Sequence, residues 1–185
     1  MRVPIRAAVT VLVIASTSLI AACTPPSGGG GSSSTTTTTR PASDPRTCPT
    51  PTASQVRVAV VVDSHEMSNG SATPSVVCVV VASGASGVAA LAARAIRLGT
   101  PVPRYDPSGL LCAIDGIPAA PACGNPSGSG FLYWSYWVGG SSWTYANVGP
   151  ASRRMVDGTV EGWRFISGGA ATAPGTSASF ASLTN

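Results

Sequence analysis

The chain holds a single histidine, His65, which stands between two carboxylates in the run Asp63-Ser64-His65-Glu66. An imidazole beside a carboxylate is the pairing that orients a general base, so acid–base chemistry would be sought here first. All three residues fall within four positions of a predicted loop, and no nucleophile is partnered with them, so the expectation is a solvated loop. Asp157 and Glu161 form a second carboxylate pair. One lies in the Asp157-Gly158 turn and the other on a predicted strand, which assigns them to a turn and a surface, with arginines near enough for Glu161 to pair at little energetic gain. The nucleophile elbow Gly-x-Ser-x-Gly is absent. No catalytic residue is expected, and with one histidine and no Cys-x-x-Cys pair neither is a metal site or a cofactor.

The residues best suited to chemistry of another kind are rings. Tyr133-Trp134-Ser135-Tyr136-Trp137 packs four of the chain's eleven aromatic side chains into five positions, and Trp143-Thr144-Tyr145 follows closely. Such rings dominate core and interface energetics, and flat apolar ligands and protein partners both use them. Successive strand residues point to opposite faces, so Trp134 and Tyr136 share one side and Tyr133 and Trp137 the other. One set must be core. The other, extended by Trp143 and Tyr145, is available for binding, so the candidate ligand-binding residues are Tyr133, Trp134, Tyr136, Trp137, Trp143 and Tyr145.

The elements that would position these rings are legible in order. Gln55 to Asp63 is β-branched and begins with alternation, and Ser75 to Ala82 is continuously apolar; with the Asn69-Gly70 turn between them they read as an antiparallel strand pair. A helix follows, with Ser86 as its cap, Val88, Leu91, Ala92, Ala95 and Leu98 on its apolar face, and Gly99 at its end. Arg94 and Arg97 fall on the opposite side, where solvent is expected. Leu110 to Asp115, Phe131 to Val138, Trp143 to Tyr145 and Thr159 to Ile166 complete the strands, with Trp163 and Phe165 on one face, and all are expected in one sheet. Strand, strand, helix, strand, strand is the order of β-grasp folds. The predicted class is α+β, with one helix packed on a mixed four- to five-stranded sheet and two disulfides.

The N-terminus has the features of an export signal. Arg2 and Arg6 precede an apolar run from Ala7 to Ile20 that is short for a membrane span, so residues 1–22 read as a cleaved signal peptide. Leu19-Ile20-Ala21-Ala22-Cys23 resembles the bacterial lipobox, which implies lipidation at Cys23 and leaves an even four cysteines behind. Residues 23–47 contain successive runs of Gly, Ser and Thr, a composition that cannot offset its ordering entropy and so reads as a disordered linker. The domain is expected over 48–166, and 167–185, almost wholly Gly, Ala, Ser, Thr and Pro, as a flexible tail.

Five cysteines beside such a start point to an oxidising compartment. Cys48, Cys78, Cys112 and Cys123 allow three connectivities. The Pro-rich loop that can double back from Cys112 favours Cys112 with Cys123, leaving Cys48 with Cys78. Every basic residue is Arg, and beyond the signal nine face seven acids, leaving +2. That balance gives no footprint for nucleic acid.

Leu110 to Gly116, Tyr133-Trp134-Ser135-Tyr136, and Asp157-Gly158 followed by Val160-Glu161-Gly162-Trp163-Arg164-Phe165 together resemble the transcobalamin-like C-terminal domain of bacterial surface proteins. The resemblance covers about Val56 to Ile166 and is similar to an actinobacterial branch with paired cysteines. It departs from the pattern at Val138-Gly139-Gly140 and in the order of Asp157-Gly158. It implies a β-grasp domain on an exported lipoprotein at the outer face of the cell membrane, associated in some relatives with corrinoid uptake. The expected partners are therefore the membrane through the lipid anchor, a small ligand such as a corrinoid, and a transporter or envelope protein. Two other readings stand beside it: a protein-interaction or protease-inhibitor module using the disulfide-braced loop 113–122, and a structural envelope lipoprotein without a ligand.

Overall fold

The computed structural model describes residues 43–127 and 130–185. The signal segment, Cys23 and the linker up to residue 42 lie outside the described residues. The elements are β1 (Gln55–Asp63), β2 (Ser75–Ala82), α1 (Gly87–Leu98), β3 (Arg104–Tyr105), β4 (Leu111–Ala113), β5 (Asn125–Ser127), β6 (Gly130–Val138), β7 (Thr144–Tyr145), β8 (Thr159–Ser167) and α2 (Phe180–Leu183).

The fold is α+β with a mixed sheet in the order β2-β1-β8-β6-β5, and β7 adds two residues beside β6. β1 and β2 form the antiparallel pair, in register from Gln55 opposite Ala82 to Val62 opposite Ser75. β1 and β8 are parallel at the centre, from Val58 beside Thr159 to Asp63 beside Arg164. First and last long strands side by side, with the helix crossing between, is the grasp arrangement expected from the strand order. Both disulfides, Cys48–Cys78 and Cys112–Cys123, are formed.

Strand alternation divides the core into two layers. Val56, Val58, Val60 and Val62 pack with Val77, Val79, Val81, Trp163 and Phe165 under Ala90 and Leu91 of α1. Ser86 caps α1 by accepting from the Ala89 N–H at 3.3 Å, and Gly99 closes it at φ 67°, a conformation that favours glycine. The opposite layer contains Ala59, Val61, Val160 and Leu183, with Val76, Trp143 and Phe180 against them.

Three expectations are corrected. Arg94 is 1 % exposed rather than solvated. It lies i+3 and i+4 from the buried Leu91 and Ala90, the alanines leave room for its stem, and Asp115 and Ser75 receive its guanidinium. Leu110 to Asp115 does not join the main sheet: only Leu111–Ala113 is a strand, and it pairs with β3. The outer edge of β6 is already taken by β5 at one end and β7 at the other.

Finally, residues 167–185 are not a loose tail. Leu183 is buried against Ala59, Val61 and Val160, and the Arg46 Nε donates to the Leu183 carbonyl at 2.9 Å. Small residues let the segment lie close to the sheet, and two apolar side chains anchor it.

Candidate functional site

β6 splits its rings between the two layers. Trp134 meets Phe165 edge-on at 5.4 Å and Tyr136 lies 5.1 Å from Trp163, both in the helix-side core. On the other side Trp137 is buried, stacks edge-on with Tyr145 at 5.1 Å and donates to the Ser135 hydroxyl. Trp143 lies over Gly162, where a Cβ would come within 2.7 Å of the indole, and donates to the Thr176 carbonyl. Of the six rings expected to bind, Trp134, Tyr136 and Trp137 are therefore interior and Trp143 is covered by the C-terminal segment. Tyr145, 49 % exposed, and the half-buried Tyr133 reach solvent, joined by Phe131. The outer face is not an open ring platform.

A concavity lies at the end of the sheet where the parallel strands β1 and β8 both finish, and another, of about 370 Å³, lies between β2 and α1. An open cleft of about 430 Å³ is walled on one side by Glu66, Met67, Ser68 and Asn69 of the β1–β2 loop. Its other wall is Pro118 and Ala119, from the loop closed by Cys112–Cys123. Leu132 of β6 and Phe165 of β8 form an apolar floor, with Ser167 at the rim. A narrower void of about 60 Å³ continues from that floor beneath Cys123.

Local chemistry holds both walls. In the β1–β2 loop, Gly70 is required by close approach, since a Cβ there would stand 1.7 Å from the Ser64 carbonyl oxygen. The second wall is fixed by two arginines. Arg104 donates to the Ala122 carbonyl at 2.6 Å and to that of Pro118 at 3.3 Å. Arg94 donates to Asp115 at 2.7 Å, and Thr100 donates to the same carboxylate at 2.7 Å. Burial pushes the Asp115 carboxyl up, but the hydrogen bond and charge of Arg94, with the Thr100 hydroxyl, outweigh it and hold it below the usual range.

The Asp63-His65-Glu66 run is a network rather than a solvated loop. Asp63 is fully buried; one oxygen receives the His65 Nδ1 at 2.7 Å and the other the Gly175 N–H at 2.8 Å. Arg164 donates to the Ala173 carbonyl at 2.6 Å and to Glu66 at 2.9 Å, and its Nη2 lies 3.2 Å from His65 Nε2. Glu66 also accepts from the Ser167 N–H and hydroxyl. Burial raises both carboxyls; for Asp63 the Gly175 and His65 hydrogen bonds, and for Glu66 those of Ser167 and Arg164, bring them below the usual range. Each carboxylate of this network is thus hydrogen-bonded, Asp63 to His65 and Gly175 and Glu66 to Arg164 and Ser167. The groups free to meet a ligand are the Ser68 hydroxyl and the Asn69 amide above an apolar floor, an arrangement suited to holding an uncharged molecule.

Glu161, expected at the surface, is fully buried beneath the ring layer; it accepts from the Tyr136 hydroxyl and lies 3.4 Å from Arg153 Nε. Burial raises its carboxyl and Tyr136 and Arg153 only partly offset that, while burial and the neighbouring carboxylate push the Tyr136 phenol far up. The consequences for acid stability have opposite signs. Asp63, Glu66 and Asp115, with lowered values, stabilise the fold above the unfolded carboxylate range, and that contribution is lost as pH falls. Glu161, with a raised value, favours the fold most below its unfolded value and stabilises it less as pH rises through its folded one. Glu161→Gln is therefore expected to steepen the rise of stability between about pH 3 and 6, read as urea midpoints across that range; an unchanged slope would mean that Glu161 does not titrate with folding.

The architecture defines a class first: a mixed-sheet domain with one long helix, two disulfides and a lateral cleft between two braced loops. A family model described as the SCO2322-like domain matches residues 31–128 and 126–185, and the chain belongs to that family. A comparison with curated proteins finds no match. The sequence marks His65 and Glu66 only as part of a solvated loop and loop 113–122 as an interaction surface, and gives no sign of their meeting over Leu132 and Phe165. Those two residues differ from other strand apolar residues only by standing near strand ends.

Proposed function

We propose that this chain is an extracytoplasmic binding module, anchored to the membrane through a lipid on Cys23, that holds a small uncharged ligand in the cleft between the β1–β2 loop and the Cys112–Cys123 loop. The observation that carries this reading is the cleft itself: an apolar floor whose one charged wall residue, Glu66, is already hydrogen-bonded to Arg164 and Ser167, so a charged ligand would gain no free counter-ion there. Its volume lies within the range of small-molecule sites, roughly 300–1,000 Å³. The transcobalamin-like resemblance makes a corrinoid, a large flat ring rimmed by neutral amides, the specific candidate. An open cleft grips such a ligand from one side, as the outer half of a two-part capture with a transporter.

Titration of the chain with cyanocobalamin is expected to quench Trp fluorescence through Trp134, which packs on the floor residue Phe165. Leu132→Glu, which places a charge on the floor, is expected to weaken binding at least about tenfold, about 1.4 kcal/mol. No response to high micromolar cobalamin would remove the corrinoid assignment.

A second reading draws on the same wall. The loop 113–122 is closed by a disulfide and clamped by Arg104, so it would lose little entropy on docking to a protein. Inhibition of a serine protease without cleavage at the loop would favour it over ligand capture.

A further inference from the structure

β2 is the outer strand of the sheet, and its free edge is only partly covered. The register with β1, together with the Ser83 N–H donated to the Ser54 carbonyl, turns the backbone groups of Val79 and Val81 toward β1, so those of Cys78, Val80 and Ala82 point outward. The first of these is taken within the chain: the Cys78 N–H donates to the Pro45 carbonyl at 2.8 Å, and the Cys48–Cys78 disulfide straps the segment that carries Pro45 to this point of the edge. Past the strap, the Val80 N–H and carbonyl and the Ala82 N–H have no partner among the described residues. Beside them lies the opening of about 370 Å³, lined by Val79 and Val80, by Ala93, Ile96 and Arg97 of α1, and by Pro49, which has no N–H to offer the edge. Ile96 is 76 % exposed there.

We propose that this edge takes the C-terminal end of a partner polypeptide as an added antiparallel strand, with its last apolar side chain in the opening and its carboxylate at Arg97. Outward main-chain donors and acceptors call for another main chain, and an apolar trough beside them suits the alternate side chains of an extended one. The strap decides that the partner ends here. A segment laid along Ala82 and Val80 meets Pro45 at Cys78 and can go no further on the edge. Arg97 stands at that stop, its Nη2 donating to the Thr47 carbonyl at 2.7 Å and to that of Asp44 at 3.3 Å. Arg97 has no carboxylate partner among the described residues, and the Asp44 carboxylate accepts instead from the Arg46 N–H and the Asn185 amide. A chain running toward the strap is antiparallel to β2; its C-terminus brings a carboxylate to the guanidinium, whereas an N-terminus would bring a second cation. A second copy of β2 fits less well, because its own strap would stand on the shared edge. Nor does the linker fill the trough, since residues 24–42 contain only Gly, Ser, Thr, Pro, one Arg and one Ala.

The probe is a fluorescein-labelled hexapeptide of alternating Thr and Val ending in Leu, made as the free acid and as the C-terminal amide and titrated into the full chain. The free acid is expected to bind saturably and the amide about five- to tenfold more weakly. Arg97→Gln is expected to bring the two affinities together, a comparison within one variant that a general loss of stability does not produce. Val80→Pro, which removes an outward N–H and no bond to β1, is expected to weaken binding of the acid at least about fivefold. In amide exchange the N–H groups of Val80 and Ala82 are expected to be unprotected in the chain alone and protected once the acid peptide is added. No saturable binding, equal affinity for acid and amide, or exchange at Val80 that the peptide leaves unchanged would each overturn the proposal. Protection at Val80 before any peptide is added would overturn it too, and sedimentation would then tell a second copy on the edge from the chain's own linker.

Discussion

Arg94→Ala is expected to lower the unfolding free energy by about 3–5 kcal/mol, the usual cost of breaking a buried ion pair from one side. The guanidinium is 1 % exposed and carries the charge that balances Asp115, so its removal strands a carboxylate that is three-quarters buried. It also frees Ser75 at the start of β2. The effect reaches the site, because Asp115 anchors the loop that supplies Pro118 and Ala119. Chemical denaturation checks the magnitude. Combining Arg94→Met with Asp115→Asn is expected to recover part of the loss, since the orphaned charge is then gone. A loss below about 1 kcal/mol for Arg94→Ala would show the pair to be effectively solvated, and the second wall of the cleft to be held without it.

Ending the chain after Gly175 is expected to cost on the order of 4–6 kcal/mol, from the burial of Leu183 and part of Phe180 and from the apolar surface they cover. The truncation keeps the Gly175 bond to Asp63 but removes the Thr176 carbonyl from Trp143 and uncovers Ala59, Val61 and Val160. Trp143 should then report increased exposure by its emission. Leu183→Ala alone should account for about 2–4 kcal/mol of the loss. A truncated chain with the parent's melting temperature would mean that the segment contributes nothing, as its composition suggested.

These two expectations fall where the sequence was least legible, and the reason is common to both. β1, β2 and α1 announce themselves through local signals: valine runs, an i, i+3, i+4 apolar face, Ser86 and Gly99 at the helix ends. The disulfide pairing followed from the Pro-rich loop that brings Cys123 back to Cys112 at a sequence separation of 11. Arg94, Glu161 and the C-terminal segment depend instead on partners far along the chain. Arg94 is buried because Asp115 is there, Glu161 because Tyr136 meets it across the sheet, and a stretch of Gly, Ala, Ser and Thr docks because two apolar side chains find the face of β1. Composition reports the average of a segment, and two anchors are lost in it.

The aromatic strand shows the same limit in the site. Its alternation correctly separated Trp134 and Tyr136 from Tyr133 and Trp137, but alternation does not say what lies on either side. The C-terminal segment covers Trp143 and Tyr145 stacks on Trp137, so the outer face closes and the cleft lies at the strand ends. That cleft is built from loop 64–70, loop 113–122 and the ends of β6 and β8, with Arg94, Arg104 and Arg164 bracing it from three elements.

The most direct test of corrinoid capture in this cleft is amide shift mapping of the isotope-labelled chain during titration with cyanocobalamin. Shifts concentrated at Glu66–Asn69, Ala119, Leu132, Phe165 and Ser167, and saturating with a single dissociation constant, are the predicted result. Shifts confined to Phe131, Tyr133 and Tyr145, with the cleft silent, or no shifts at all, would contradict it.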